Sequence, residues 1–128
     1  MISGVLDSSA LLAVLNGEPG AEKLTPELLS AAMCSTVSLA EVHGKLVSRG
    51  IPENDAWTAT SHTVEDPQEF TVEHARIAGG LISLTRKFGL SLGDRACLAL
   101  GIELGAPVYT ADKSWKKLNL PISVHVIR

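Results

Sequence analysis

Short hydrophobic runs alternate with longer segments of helical periodicity along this chain. Ile2 to Leu6 is an apolar run stopped by Asp7-Ser8-Ser9, and Ala10 to Leu15 resumes with good helix formers, which predicts strand, tight turn and helix. Asn16-Gly-Glu-Pro-Gly20 ends that helix. A weaker helical segment over Ala21 to Leu29 leads into Ala31 to Ser35, short and apolar enough for a buried strand. Ser38 with Glu41 three residues on reads as a capping box opening a helix through Leu46 to Arg49, which Gly50 terminates. Pro52 starts another helix, carrying Asp55, Ala56 and Trp57.

The second half repeats the alternation. Thr63 to Phe70 is polar and broken by Pro67, so it can supply only a short edge strand. Between Val72 and Phe88 the residues Ile77, Leu81, Leu84 and Phe88 recur at helical spacing, predicting one helix packed on a sheet and closed by Gly89. Ser91-Leu-Gly-Asp94 is a second cap-and-acid pattern, opening a helix from Ala96 to Leu104 that Gly105 ends. Pro107 to Thr110 reads as a strand, Asp112 to Leu118 as a short helix and Ile122 to Ile127 as a last strand. Alternating strands and helices predict an α/β sandwich with a mostly parallel sheet and right-handed crossovers.

At 128 residues the chain can bury one good core and is too short for two ordinary domains, so residues 1–128 are expected to form a single domain. No apolar stretch reaches bilayer-spanning length and the N-terminus lacks the basic flank of a signal peptide, which sets a cytoplasmic, membrane-free expectation. Cys34 and Cys97 lie in apolar surroundings without metal-ligand spacing, and buried small hydrophobes fit them best.

Charge changes this picture. The formal net charge is −3, but through Ala75 the bases Lys23, Lys45 and Arg49 face eleven acids, whereas from Arg76 onward eight bases face three acids. The asymmetry fits either nucleic-acid contact or a solvated basic face. Arg95 beside Asp94, and Lys113, Lys116 and Lys117 after Asp112, are the candidate nucleic-acid contacts.

Asp7, Glu41, Asp94 and Asp112 each sit where an apolar run ends or a helix begins. Any one of them can be a helix cap and nothing more. Four at the same edge of a parallel sheet favour a site, because ligands bind at the carboxyl ends of such strands. Carboxylates gathered there stay anionic when a hard cation such as Mg²⁺ or Mn²⁺ holds them. Ser9 and Thr110 stand beside two of the acids as hydroxyls able to orient a ligand or a water. One or two such cations activate water for phosphodiester hydrolysis. Competing chemistries lack their motifs. His43, His62, His74 and His125 are scattered, Ser8 and Ser9 have no Gly-x-Ser-x-Gly elbow, and no Walker or GxGxxG loop is present.

The chain resembles PIN-domain ribonucleases, and within them the VapC-type toxins of toxin–antitoxin pairs. The resemblance covers nearly the whole chain, through the first strand with Asp7-Ser8-Ser9, Ser38-Leu-Ala-Glu41-Val, Leu92-Gly-Asp94-Arg-Ala-Cys-Leu and Val108-Tyr-Thr-Ala-Asp112. It implies a three-layer α/β/α domain in which Asp7, Glu41, Asp94 and Asp112 bind Mg²⁺ or Mn²⁺ and hydrolyse single-stranded or looped RNA, often tRNA or rRNA. A homodimer and an inhibitory antitoxin, or a hetero-oligomer of the two, are implied as well. The chain departs from many relatives at Lys113-Ser114-Trp115, where they carry a further acid or Asn. Trp115 is expected to be structural rather than a platform for an RNA base. The rival reading is a module of the same fold that binds RNA or protein without cutting. A phosphotransfer receiver domain is disfavoured, because Asp7-Ser8 lacks the adjacent acid pair near the first strand.

Overall fold

The computed structural model describes residues 1–128, which form a five-stranded sheet with helices on both faces. In chain order the strands are β1 (Gly4–Leu6), β2 (Ala32–Ser35), β3 (Asp66–Gln68), β4 (Val108–Thr110) and β5 (Val124–Val126). The sheet order is β3-β2-β1-β4-β5 and all four pairings are parallel. The α-helices are α1 (Ser8–Asn16), α2 (Pro26–Ser30), α3 (Thr36–Ser48), α4 (Glu53–Ser61), α5 (Val72–Gly80), α6 (Ile82–Thr85) and α7 (Leu92–Leu104). Single 3₁₀ turns cover Ala21–Lys23, Arg86–Phe88 and Lys113–Lys117. None of the helices is long and apolar enough to cross a membrane.

A parallel sheet covered on both faces needs strands that are apolar on both sides, and β1 is buried at all three residues. Leu6 joins the core formed with Leu11, Leu39, Val42 and Leu46 of α1 and α3. Its neighbour Val5 joins the opposite core with Leu98 and Leu100 of α7, Val108 and Trp115. Period-two alternation on one strand therefore feeds two cores and gives three layers. Trp115 is fully buried in the second core, the structural role expected of it.

Two sequence expectations need correction. The α3 helix starts at Thr36, and the Ser35 hydroxyl caps it by accepting from the Val37 N–H at 3.1 Å. Ser38 is a buried helix residue whose Oγ has no hydrogen-bond partner, so the Ser38–Glu41 capping box does not form. Ser35 belongs to a strand and a helix end at once, which its apolar surroundings hid. The continuous helix expected from Val72 to Phe88 is divided into α5, α6 and a 3₁₀ turn. Gly79-Gly80 lies at the break, where two residues without side chains weaken helix propagation.

The chain runs from β1 to β2 on one side, and β4 lies on the other side of β1. Strand order thus reverses between β1 and β4, and the carboxyl ends of these two strands mark the crevice position of such folds.

Candidate active site

Asp7 follows β1 directly into that crevice. Its backbone is extended, with φ −82° and ψ 175°, and its side chain caps α1 by accepting from the Ala10 N–H at 2.8 Å on Oδ1. The Ser9 hydroxyl donates to the same oxygen at 2.7 Å, and the Thr110 hydroxyl, last residue of β4, donates to Oδ2 at 2.6 Å. These partners are fixed in turn, since Ser9 Oγ accepts from the Ala111 N–H at 2.9 Å and Thr110 Oγ1 from the Asp112 N–H at 3.0 Å. Asp7 is only 2% exposed. Burial pushes its carboxyl up to about 6, against the three hydrogen bonds that favour the anion, and the charge of Asp94 adds to the rise.

Glu41 stands in the second turn of α3 with its side chain at the surface of the crevice. Partial burial raises its proton affinity, the Ser8 hydroxyl opposes this, and the Asp94 charge raises it further. Gly93 in α7 makes room for it, because a Cβ at that position would collide with the Glu41 carboxylate. Asp94, at the third position of α7, forms the capping box foreseen from sequence. It accepts from the Ser91 N–H at 2.9 Å, and its own N–H donates to Ser91 Oγ at 3.2 Å.

Beneath these acids lies the fully buried thiol of Cys97. Its proton affinity is raised well above the ordinary value by burial first and then by the charges of Asp7, Asp94, Cys34 and Glu41. The Asp94 charge raises the proton affinities of both Asp7 and Glu41, so these three sequence-selected acids lie within electrostatic reach of one another. Asp112 stands after β4 at the start of the 3₁₀ turn. It is exposed, and its Oδ1 accepts from both the backbone N–H and the hydroxyl of Ser114, at 2.9 and 2.8 Å, as the cap of the 3₁₀ turn.

The donor set, carboxylate oxygens with hydroxyls behind them, is that of a hard divalent cation. In the side-chain positions of this structure no three Asp, Glu, His or Cys residues form a ready cage for an ion. Asp7 fits the role of a fixed ligand, because a desolvated carboxylate beside other acids is relieved by a cation. Glu41 and Asp94 carry the further oxygen donors that such an ion takes.

The basic residues take different places. Arg95 turns toward α5 and donates through Nη1 to the Ala78 carbonyl at 2.9 Å. Lys113, Lys116 and Lys117 are exposed along the 3₁₀ turn after Asp112. Sequence reasoning missed Ser8 and Gly93 as the residues facing Glu41, whereas Cys97 is buried as expected. A signal existed for Gly93, since glycine in the first turn of a helix is unfavourable unless something must approach closely.

The PIN domain family model matches residues 4–120. No curated protein gives a significant sequence match. Among solved structures, VapBC from Salmonella typhimurium bound to DNA is similar with a TM-score of 0.78 at 12% identity, over 100% of both chains. VapBC2 from Rickettsia felis bound to a DNA fragment of its promoter is similar with a TM-score of 0.72 at 18% identity, over 97% of this chain and 98% of that one. VapC20 of Mycobacterium tuberculosis, a sarcin-ricin loop cleaving toxin, is similar with a TM-score of 0.71 at 18% identity, over 90% of this chain and 95% of that one. These are likenesses of fold.

Proposed function

The chain belongs to the PIN-domain family, and on that premise we propose that it is a metal-dependent endoribonuclease, the toxin of a toxin–antitoxin pair working in the cytoplasm. What supports the proposal is the buried Asp7, held by three hydrogen bonds where strand order reverses, with Asp94 near enough to raise the proton affinities of both Asp7 and Glu41.

Asp7 is the fixed point. Ser9, Thr110 and the Ala10 N–H hold both its oxygens and favour its anion, so the group is mostly ionised at neutral pH although buried. Glu41 and Asp94 would complete the ligand set from α3 and α7, with Asp112, the exposed cap of the next 3₁₀ turn, as its most weakly held member. When bound, Mg²⁺ or Mn²⁺ supplies a Lewis acid for the phosphate and a water of lowered pKa. Lys113, Lys116 and Lys117 stand at the β4 side of the crevice as cations for the RNA backbone. Structured or single-stranded RNA, with tRNA or rRNA foremost, is the proposed substrate. An antitoxin is the proposed protein partner, supported by the toxin–antitoxin complexes of similar fold. Assembly as a homodimer, or as a hetero-oligomer with that antitoxin, goes with the same reading.

A second reading, a module of the same fold that binds RNA or protein without cutting, is favoured by the absence of a ready three-ligand cage. Incubation of purified protein with total tRNA and rRNA in Mg²⁺, Mn²⁺ or EDTA separates the two. Discrete, EDTA-sensitive fragments that Asp7→Asn and Asp94→Asn lose are expected. RNA affinity without turnover in any metal would transfer the proposal to the binding module.

A further inference from the structure

Beside Glu41 an open groove of about 390 Å³ runs between α1 and α3, lined by Ser8, Leu12, Glu41, Gly44, Lys45 and Ser48. It is continuous with the acidic site, because Glu41 lines both. The seven helical steps from Glu41 to Ser48 rise about 10 Å along α3, so the groove leads away from the acids along the helix.

Lys45 is the cation of this groove. The ion pairs of the chain engage His43, His74, Arg76 and Arg128, and Lys45 is in none of them. On α3 it stands one helical turn from Glu41. An exposed ammonium one turn from a carboxylate, and not paired with it, is available to an anion. Gly44 is the second observation. It lies inside α3, where glycine is the least favourable residue apart from proline, and a Cβ there would meet nothing within 4 Å. Packing against the protein therefore does not explain the glycine, and the helix surface there is open to close approach.

Resting on the ribonuclease reading above, we propose that this groove carries the single RNA strand next to the cleavage point, with the Lys45 ammonium on a neighbouring phosphate and Gly44 letting the strand lie against α3. Lys45 is a substrate-binding residue, additional to the cations that follow β4.

Fluorescence anisotropy of a labelled short single-stranded RNA of mixed sequence, in EDTA and over a range of salt, tests this. Each phosphate contact to a single strand contributes about 0.7 to the slope of log affinity against log salt. Lys45→Gln is expected to lower the slope by about 0.7 and to raise KM with kcat held, while Lys45→Arg keeps the slope. Gly44→Gln is expected to melt no lower than wild type, with weaker RNA binding. An unchanged slope in Lys45→Gln, or unchanged affinity in Gly44→Gln, would overturn the groove proposal in a protein that still binds and cuts RNA. Failure of the wild type to bind or cut RNA would instead overturn the ribonuclease reading, and the groove with it.

Discussion

Asp7 and Asp112 have the same local grammar and opposite surroundings. Each follows a strand of the central sheet, each is extended, and each caps the helical turn that comes next. Asp7 is 2% exposed and held by two hydroxyls as well as the capped N–H. Asp112 lies in solvent, its side chain tied only to Ser114. A cap needs no burial, and burying a carboxylate is costly without a compensating charge. The excess construction around Asp7 is thus what distinguishes a ligand from a cap, and the lesson is that tertiary hydroxyls, not the local Asp motif, make the site.

Exchanging the charge at the two strand ends breaks the comparison most severely. Asp7→Asn is expected to lower RNA cleavage by about a thousandfold or more, equivalent to about 4 kcal/mol of transition-state stabilisation, with the circular dichroism spectrum of the wild type retained. The same change has an opposite effect on stability. The folded protein binds the Asp7 proton more tightly than the unfolded chain, since its value rises from 3.8 to about 6. This stability is therefore full below about pH 4 and is lost as pH rises through about 6. At about 1.4 kcal/mol per unit, the difference is about 3 kcal/mol. Metal-free Asp7→Asn should melt above wild type at pH 7.5, with the gap closing toward pH 4. Glu18 and Glu73, whose proton affinities are lowered by their own partners, contribute equally to both proteins. A gap that does not narrow on acidification would remove desolvation of Asp7 as the cause.

Smaller changes sharpen the contrast. Thr110→Val keeps the shape of the β4 end and removes the donor on Asp7 Oδ2. Loss of such an orienting partner is expected to weaken metal affinity or cleavage by about 10- to 100-fold, and to shift the melting transition of metal-free protein to higher pH. Gly93→Ala improves the helix by up to about 1 kcal/mol but displaces the Glu41 carboxylate. A protein no less stable, with cleavage reduced about tenfold, is the expected outcome. Unaltered cleavage would show that Glu41 need not stand over α7. The smallest effect is expected of Asp112→Asn, which preserves a capping side chain and should change cleavage by less than about tenfold, about 1.4 kcal/mol.

How far the sequence carries this account follows from the same distinction. The strand–Asp–helix pattern at Asp7, the Ser91–Asp94 box and the closing glycines are local signals, and the structure contains them as expected. The start of α3 was misplaced because Ser35 and Ser38 are equally good caps, and only the length of β2 chooses between them. The division of the helix after Gly80 depends on a glycine pair inside an apolar stripe that continues past it. Asp7 and Asp112 could not be ranked, since their burial is set by the central and outer positions of chain segments around one crevice. The groove residue Lys45 carries no sequence motif at all. Its place beside Glu41 follows from which face of α3 the first core buries.

The most direct test of the central claim is calorimetric titration of Mn²⁺ into metal-free wild type, Asp7→Asn and Asp112→Asn at pH 7.5. The account predicts binding by the wild type, its loss in Asp7→Asn, and affinity within about tenfold of wild type in Asp112→Asn. Equal binding by wild type and Asp7→Asn, or equal loss in the two variants, would contradict it.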